Sequence, residues 1–307
     1  MKVIAADLGG HTLSSAVIEE LDGDFSITSR FDCYTPKGRG ADDVASCLAR
    51  IAQKLSESSA PASMCVAIPG ILDKTRRRIL KFTNFASADD IDFAEHLEGK
   101  LHDMGLPVDV FLENDANCAA LGEKLCGAAK SMSDCVVLTL GTGIGCGIIS
   151  NGELVTGAHG LASEAGHITI SGSERLCGCG GIGHLESLAS ADRIEAEAGA
   201  EGLPRDFKTL WADRENARVA DILEPALDAI ARGAASLIVT TDPEAVILSG
   251  GMSRAVGIAD EIERRTLKYL PAPFRKYLRI DVSALGPDAA LYGATSLCLG
   301  RVPQGGK

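Results

Sequence analysis

With 307 residues, an apolar fraction of 46% and a formal net charge of −12, the chain can bury the cores of two domains, and its acidity without a basic stripe argues against a nucleic-acid partner. No apolar run reaches membrane-spanning length and the patch Val3 to Ala6 is stopped by Asp7, so neither leader nor anchor is expected and the expected compartment is the cytoplasm. Ten cysteines without the spacing of a small secreted scaffold fit free thiols in a reducing environment.

The predicted elements begin with an apolar strand, Val3 to Ala6, the glycine turn Asp7-Leu8-Gly9-Gly10-His11-Thr12, an alternating strand, Leu13 to Glu19, and a turn at Asp22-Gly23-Asp24. A third strand covers Phe25 to Cys33, and Val44, Cys47, Leu48, Ile51 and Leu55 recur at helical spacing. Met64 to Ile68 reads as a strand ending at Pro69-Gly70, the dense basic run Thr75-Arg76-Arg77-Arg78 as a solvated turn, Asp90 to Met104 as a helix and Val108 to Leu112 as a strand. Alternation of this kind indicates α/β layers.

Leu112-Glu113-Asn114-Asp115 ends that strand and opens a helix, Ala116 to Leu125. One of these polar residues suffices as an N-cap. The others are expected to face a ligand, and Asp115 is the candidate general base that takes a proton from a substrate hydroxyl attacking a γ-phosphate. In a loose phosphoryl-transfer transition state, alignment matters more than basicity, so an ordinary carboxylate serves.

The opening arrangement then recurs: strand Val136 to Leu140, the turn Gly141-Thr142-Gly143-Ile144-Gly145-Cys146-Gly147, and a strand running to the hairpin signal Asn151-Gly152. A dinucleotide fingerprint would open a helix here, so that reading fails. Two corresponding glycine turns predict a pair of related domains closing on a nucleotide, with backbone amides at its phosphates. Asp7, beside the first turn, is the candidate Mg²⁺ holder.

Between Ala158 and Ser190 lie Glu164, His167, Cys177, Cys179, His184 and Glu186. Two thiols and two imidazoles so close together match a tetrahedral zinc site with His167, Cys177, Cys179 and His184 as ligands. The metal is expected to act as a scaffold that orients the two acids. If Nδ1 of His167 binds metal, only its other nitrogen can reach a sugar hydroxyl. Asn84, Asn114, Asp115, Glu164, His167 and Glu186 are the candidate polyol contacts. A helix from Asn216 to about Thr241, the strand Ala245 to Leu248, Ser249-Gly250-Gly251 and a last helix, Asp288 to Leu299, complete the chain. Gly250 and Gly251 are candidates to pack against a purine or ribose.

In order, Asp7-Leu8-Gly9-Gly10, Pro69-Gly70, Asn84, Glu113-Asn114-Asp115-Ala116-Asn117, Gly141-Thr142-Gly143-Ile144-Gly145, Glu164-Ala165-Gly166-His167, Cys177-Gly178-Cys179-Gly180, Leu185-Glu186 and Ser249-Gly250-Gly251 resemble the ROK family of sugar kinases, within the actin, Hsp70 and hexokinase superfamily. The resemblance implies a two-domain ribonuclease H-like (actin-like ATPase) α/β fold with duplicated glycine-turn hairpins and a cleft between domains. The expected division is 1–115 plus 288–307, and 116–287. It also implies ATP as donor with Mg²⁺, a structural Zn²⁺, a hexose phosphorylated at its 6-hydroxyl, and a homodimer. Asp7, Gly9, Gly10, Thr12, Gly141, Thr142, Gly143, Gly145, Gly250 and Gly251 become the nucleotide-binding set.

The chain departs from the family pattern at four places. His11 intervenes before Thr12, Ser163 stands for a usual Gly, Ala88 for a usual Trp and His184 for the third zinc Cys. The missing Trp and the segment Thr156-Gly157-Ala158-His159-Gly160 resemble the allose-kinase branch. Competing readings are a sugar-sensing protein without a DNA-binding domain and an actin-like ATPase with no sugar substrate.

Overall fold

The computed structural model describes residues 1–36, 40–56, 61–82, 90–170 and 172–300. Its contacts divide the chain into two compact units, Met1–Lys130 with Glu153–Ala162 and Asp288–Lys307, and Ser131–Gly152 with Ser163–Pro287.

The first unit starts with β1 (Lys2–Leu8), β2 (Thr12–Leu21) and β3 (Asp24–Tyr34), followed by helix α1 (Ala41–Ser56) and β4 (Ser63–Ile68). Three short strands, β5 (Gly70–Leu72), β6 (Arg78–Phe82) and β7 (Ile91–Asp92), form a small antiparallel sheet. They are followed by α2 (Phe93–Asp103), β8 (Asp109–Asn114) and α3 (Asp115–Cys126). The main sheet runs β3-β2-β1-β4-β8, with β1 antiparallel to β2 and parallel to β4, and β8 parallel to β4.

Central strands β1 and β4 are nearly continuous apolar runs, as strands covered on both faces must be. Edge strand β3 alternates exposed and half-buried positions along its whole length. Helix α1 buries Val44, Leu48, Ile51 and Leu55 as one stripe, with Asp42 and Asp43 in its first turn and Lys54 in its last, where the helix dipole favours each sign.

The second unit repeats the plan. Strands β9 (Cys135–Leu140) and β10 (Ile144–Ser150) form an antiparallel hairpin. The chain passes once through the first unit with β11 (Glu153–Leu154). It then continues as α4 (Leu185–Ala189), α5 (Ala191–Ala200), α6 (Phe207–Ala212), α7 (Ala217–Thr241) and β12 (Ala245–Ser249). Helices α8 (Ile258–Thr266) and α9 (Ala272–Arg275) lead to β13 (Ile280–Val282). Within this unit β10-β9-β12-β13 are neighbours, β12 lying parallel to both β9 and β13. Each unit therefore has a leading hairpin whose first strand continues into two parallel strands. This is the duplicated core of the ribonuclease H-like, actin-like ATPase fold.

The final helix, α10 (Ala289–Cys298), belongs to the first unit and packs on α3. The two backbones meet closely: a Cβ on Gly122 would overlap the Ala289 carbonyl, and one on Gly293 the Cys118 carbonyl. That packing moves the division away from the boundary expected at residue 115, because α3 has its partners in α10 and β8 and so stays with the first unit. The small β5-β6-β7 sheet was also absent from the sequence reading. Its strands are two to five residues long, too short for periodicity to register.

Candidate active site

The first glycine turn joins β1 to β2. Gly9 N–H donates to the Thr12 carbonyl at 2.9 Å, closing the turn despite the interposed His11, whose side chain is exposed. A residue outside the turn pins it. Thr35, 3% exposed, donates its hydroxyl to the Gly9 carbonyl at 2.7 Å, and its N–H donates to the His11 carbonyl at 3.0 Å. Thr35 gave no signal in the sequence, since a single threonine after a strand carries no motif.

At the end of β8, Asn114 caps α3, its Oδ1 accepting from the N–H groups of Ala116 at 2.9 Å and Asn117 at 3.1 Å. Its Nδ2 donates to the Gly70 carbonyl at 3.2 Å. The cap thus falls to Asn114, and Asp115 is the first residue of the helix. Burial pushes the Asp7 carboxyl up to about 7, and the Asp115 charge adds to the shift. Two acids that oppose each other's ionisation are the arrangement a cation relieves.

Glu113, 2% exposed, lies beneath this strand end. Its Oε1 accepts from Asn114 N–H at 2.8 Å and Asn117 Nδ2 at 3.0 Å, while Arg76 Nε lies 3.1 Å from Oε2. Burial raises its carboxyl above the ordinary range, with the Arg76 charge opposing. The basic run Arg76-Arg77-Arg78 is therefore not a solvated turn. Arg77 pairs with Glu98 and Arg78 with Asp90, and Arg76 also donates to the Gly160 carbonyl at 3.1 Å. The partners lie 12 to 84 residues away in sequence, which no local pattern reveals.

In the second unit, the turn holding Gly141, Thr142, Gly143 and Gly145 leads into strand and not into the helix that a dinucleotide fingerprint requires. Gly145 N–H donates to Thr139 Oγ1 and Gly141 N–H to the Gly143 carbonyl, both at 3.0 Å. Gly250 has φ +85 and presses on the backbone of Leu140, so packing alone demands glycine there; Gly251 has open space where a Cβ would be.

His167, Cys177, Cys179 and His184 come together, one ligand atom from each lying within 4.8 Å of the others. Cys177 Sγ is 3.9 Å from His167 Nδ1, and Cys179 Sγ is 3.1 Å from His184 Nδ1. A tetrahedral zinc with sulfur and nitrogen ligands has ligand-to-ligand separations of roughly 3.3–3.8 Å; the separations here lie on either side of that range, and small side-chain adjustments would bring the four groups onto one ion. His184 is the member of the group nearest Cys179. His167 turns Nδ1 to the cluster and holds Nε2 4.0 Å from Glu164 Oε2. Burial raises the Glu164 carboxyl, partly offset by His167. Ser163, where the family pattern has glycine, sits at φ +71; the left-handed backbone explains that glycine preference. Glu186 accepts the Ile144 N–H on Oε2 at 3.0 Å. Asn84 and Ala88 lie outside the described residues.

The fold and these sites define the class as a two-unit α/β protein of the actin-like ATPase fold. The model of the ROK family matches residues 3–301, and the chain belongs to that family. It is 32% identical to the glucokinase of Thermotoga maritima, with 98% of each chain covered, and 28% identical to the N-acetylmannosamine kinase of Salmonella paratyphi A, covering 98% of this chain and 99% of that one. Among solved structures, it matches a ROK family glucokinase from Streptomyces griseus in complex with glucose and AMPPNP, with a TM-score of 0.81 and 28% identity over 97% and 99% of the two chains. It also matches the ROK hexokinase from Thermus thermophilus, with a TM-score of 0.80 and 31% identity over 96% of each.

Proposed function

We propose that this protein is an ATP-dependent kinase of a hexose or hexose derivative that transfers the γ-phosphoryl group to the 6-hydroxyl. The observation that carries the reading is the carboxylate pair in the first unit. Asp115 opens α3 beyond the end of β8, and its charge bears on Asp7 at the end of β1, next to the pinned glycine turn.

In this reading Asp115 is the general base. It accepts the proton of the 6-hydroxyl as that oxygen bonds to γ-phosphorus and the bond to the ADP oxygen breaks. Asp7 holds the magnesium of Mg·ATP directly or through water, and the ion neutralises charge on the phosphates. Gly10 and Thr12 in one turn, and Thr142 and Gly143 in the other, offer backbone N–H groups to those phosphates, while Gly9, Gly141 and Gly145 use theirs to hold the turns in shape. Gly251 leaves room for the nucleoside. Asn114, Asp115, Glu164, His167 and Glu186 are the proposed contacts to sugar hydroxyls, and Asn84 joins them by family resemblance. Zinc held by His167, Cys177, Cys179 and His184 supplies structural order to the loop. Relatives acting on glucose and on N-acetylmannosamine support the substrate class.

The test is ADP release with Mg·ATP across allose, glucose, mannose, fructose and N-acetylhexosamines. Sugar-dependent release that Asp115→Asn lowers by about 10²–10⁴-fold supports the reading. Release independent of every sugar, or untouched by Asp115→Asn, overturns it.

A further inference from the structure

Glu186 has neighbours in two different elements of the second unit. Its Oε2 accepts the Ile144 N–H at 3.0 Å, within the glycine turn, and its Oε1 lies 3.9 Å from Cys177 Sγ, within the Cys/His cluster. Gly143 is constrained by the same carboxylate, since a Cβ there would stand 2.5 Å from Oε2.

The contact extends on both sides. His184, a member of the cluster, is the N-cap residue of α4, and Glu186 follows two positions later. Just past the end of that helix, Ala191 N–H donates to the Gly141 carbonyl at 2.8 Å. Gly166, the residue before His167, lies so close to the Ile144 carbonyl that a Cβ would overlap it. Ile144 is thus approached from both sides of the cluster segment: its N–H donates to Glu186, and its carbonyl lies against Gly166 too closely for any side chain there. A hydrogen bond to a carboxylate is among the stronger ones, and its geometry is set by whatever fixes the acceptor.

We propose that Glu186 is a positioning residue for the nucleotide: metal loading of His167, Cys177, Cys179 and His184 fixes its carboxylate, which fixes the second glycine turn and so sets nucleotide affinity. This rests on reading that turn as a phosphate turn. It also revises the expectation of a metal that orders the sugar acids alone, because the same helix start serves the turn.

The experiment measures ADP affinity without sugar, by titration calorimetry, and amide exchange over residues 141–147 by mass spectrometry. Wild type, Glu186→Ala and Glu186→Gln are each compared zinc-loaded and chelator-stripped. In the wild type, stripping should weaken ADP binding by about tenfold, the loss of one charge-assisted hydrogen bond, and speed exchange at the Ile144 amide. Glu186→Ala should keep its zinc, bind ADP weakly in both states and exchange quickly at Ile144; Glu186→Gln, which keeps an acceptor, should recover most of the affinity. Wild-type affinity and exchange unchanged on stripping overturn the proposal, as does a full zinc response in Glu186→Ala. Should stripped protein unfold, the zinc-loaded pair decides: equal affinity and equal Ile144 exchange in wild type and Glu186→Ala overturn it. Failure of every form to bind ADP overturns the phosphate-turn reading instead, and the exchange data still report on the link between cluster and turn.

Discussion

Arg76 reaches Glu113 from a left-handed backbone. Its φ is +57, its Nε stands 3.1 Å from Oε2 of a carboxylate that is 2% exposed, and its Nη1 donates to the Gly160 carbonyl. A non-glycine residue in that conformation costs on the order of 1–3 kcal/mol, which the side-chain contacts offset. Arg76→Met should leave Glu113 buried without its charge partner and destabilise the protein by about 3–5 kcal/mol in urea unfolding. Adding Glu113→Gln should recover part of the loss. Equal stability of wild type and Arg76→Met would show that the ion pair is energetically silent.

The raised carboxyl of Asp7 predicts a pH slope for the nucleotide-free, metal-free protein. The folded-state pKa, about 7, lies above the ordinary aspartate value of 3.8, so the folded state holds a proton that the unfolded chain has released. The contribution of this group to stability is complete below pH about 4 and declines as pH rises toward about 7, by up to about 1.4 kcal/mol per pH unit. Chemical unfolding across that window should show the decline in the wild type and a shallower one in Asp7→Asn. Parallel profiles would count against it.

Thr35 tethers the first turn through a hydroxyl. Thr35→Val keeps the shape and removes the bond to the Gly9 carbonyl, so the KM for Mg·ATP should rise roughly fivefold, about 1 kcal/mol, with the sugar KM little changed. Thr35→Ser should restore it. A Val variant with wild-type nucleotide kinetics would remove Thr35 from the account.

The Cys/His cluster should carry zinc in equimolar amount after purification, read by elemental analysis. His184→Ala should lower that content, and His184→Cys should retain it, since thiolate sulfur is an equal or better zinc ligand. Full zinc content in His184→Ala would exclude this imidazole from the site.

The fold was legible from the chain because its signals are local: two glycine turns between apolar strands, each followed by strand rather than helix. The Cys/His grouping was legible for a similar reason, its side chains falling within eighteen residues of one another, at His167, Cys177, Cys179 and His184. What stayed hidden depends on distant pairing. Arg76 looks like a surface charge until Glu113 is brought to it, Thr35 is silent until the hairpin closes, and Glu186 reads as an acid at a helix start until Ile144 arrives beneath it. Composition could not assign those roles because each side chain takes its meaning from a partner dozens of residues away, or from a backbone group that every residue possesses.

The close crossing of α3 and α10 has a consequence for synthesis. Helix α3 begins with Asp115, yet the surface it packs against comes from residues 289–298. During translation the first unit remains unfinished while the whole second unit emerges, and it closes only when the last helix has left the ribosome. A ribosome-bound chain stopped shortly before Ala289 should therefore hold a second unit able to fold around its own core, and a first unit whose α3 surface at Cys118 and Gly122 is still uncovered. The proposed catalytic base, at the start of that helix, would be among the last features to reach its final position.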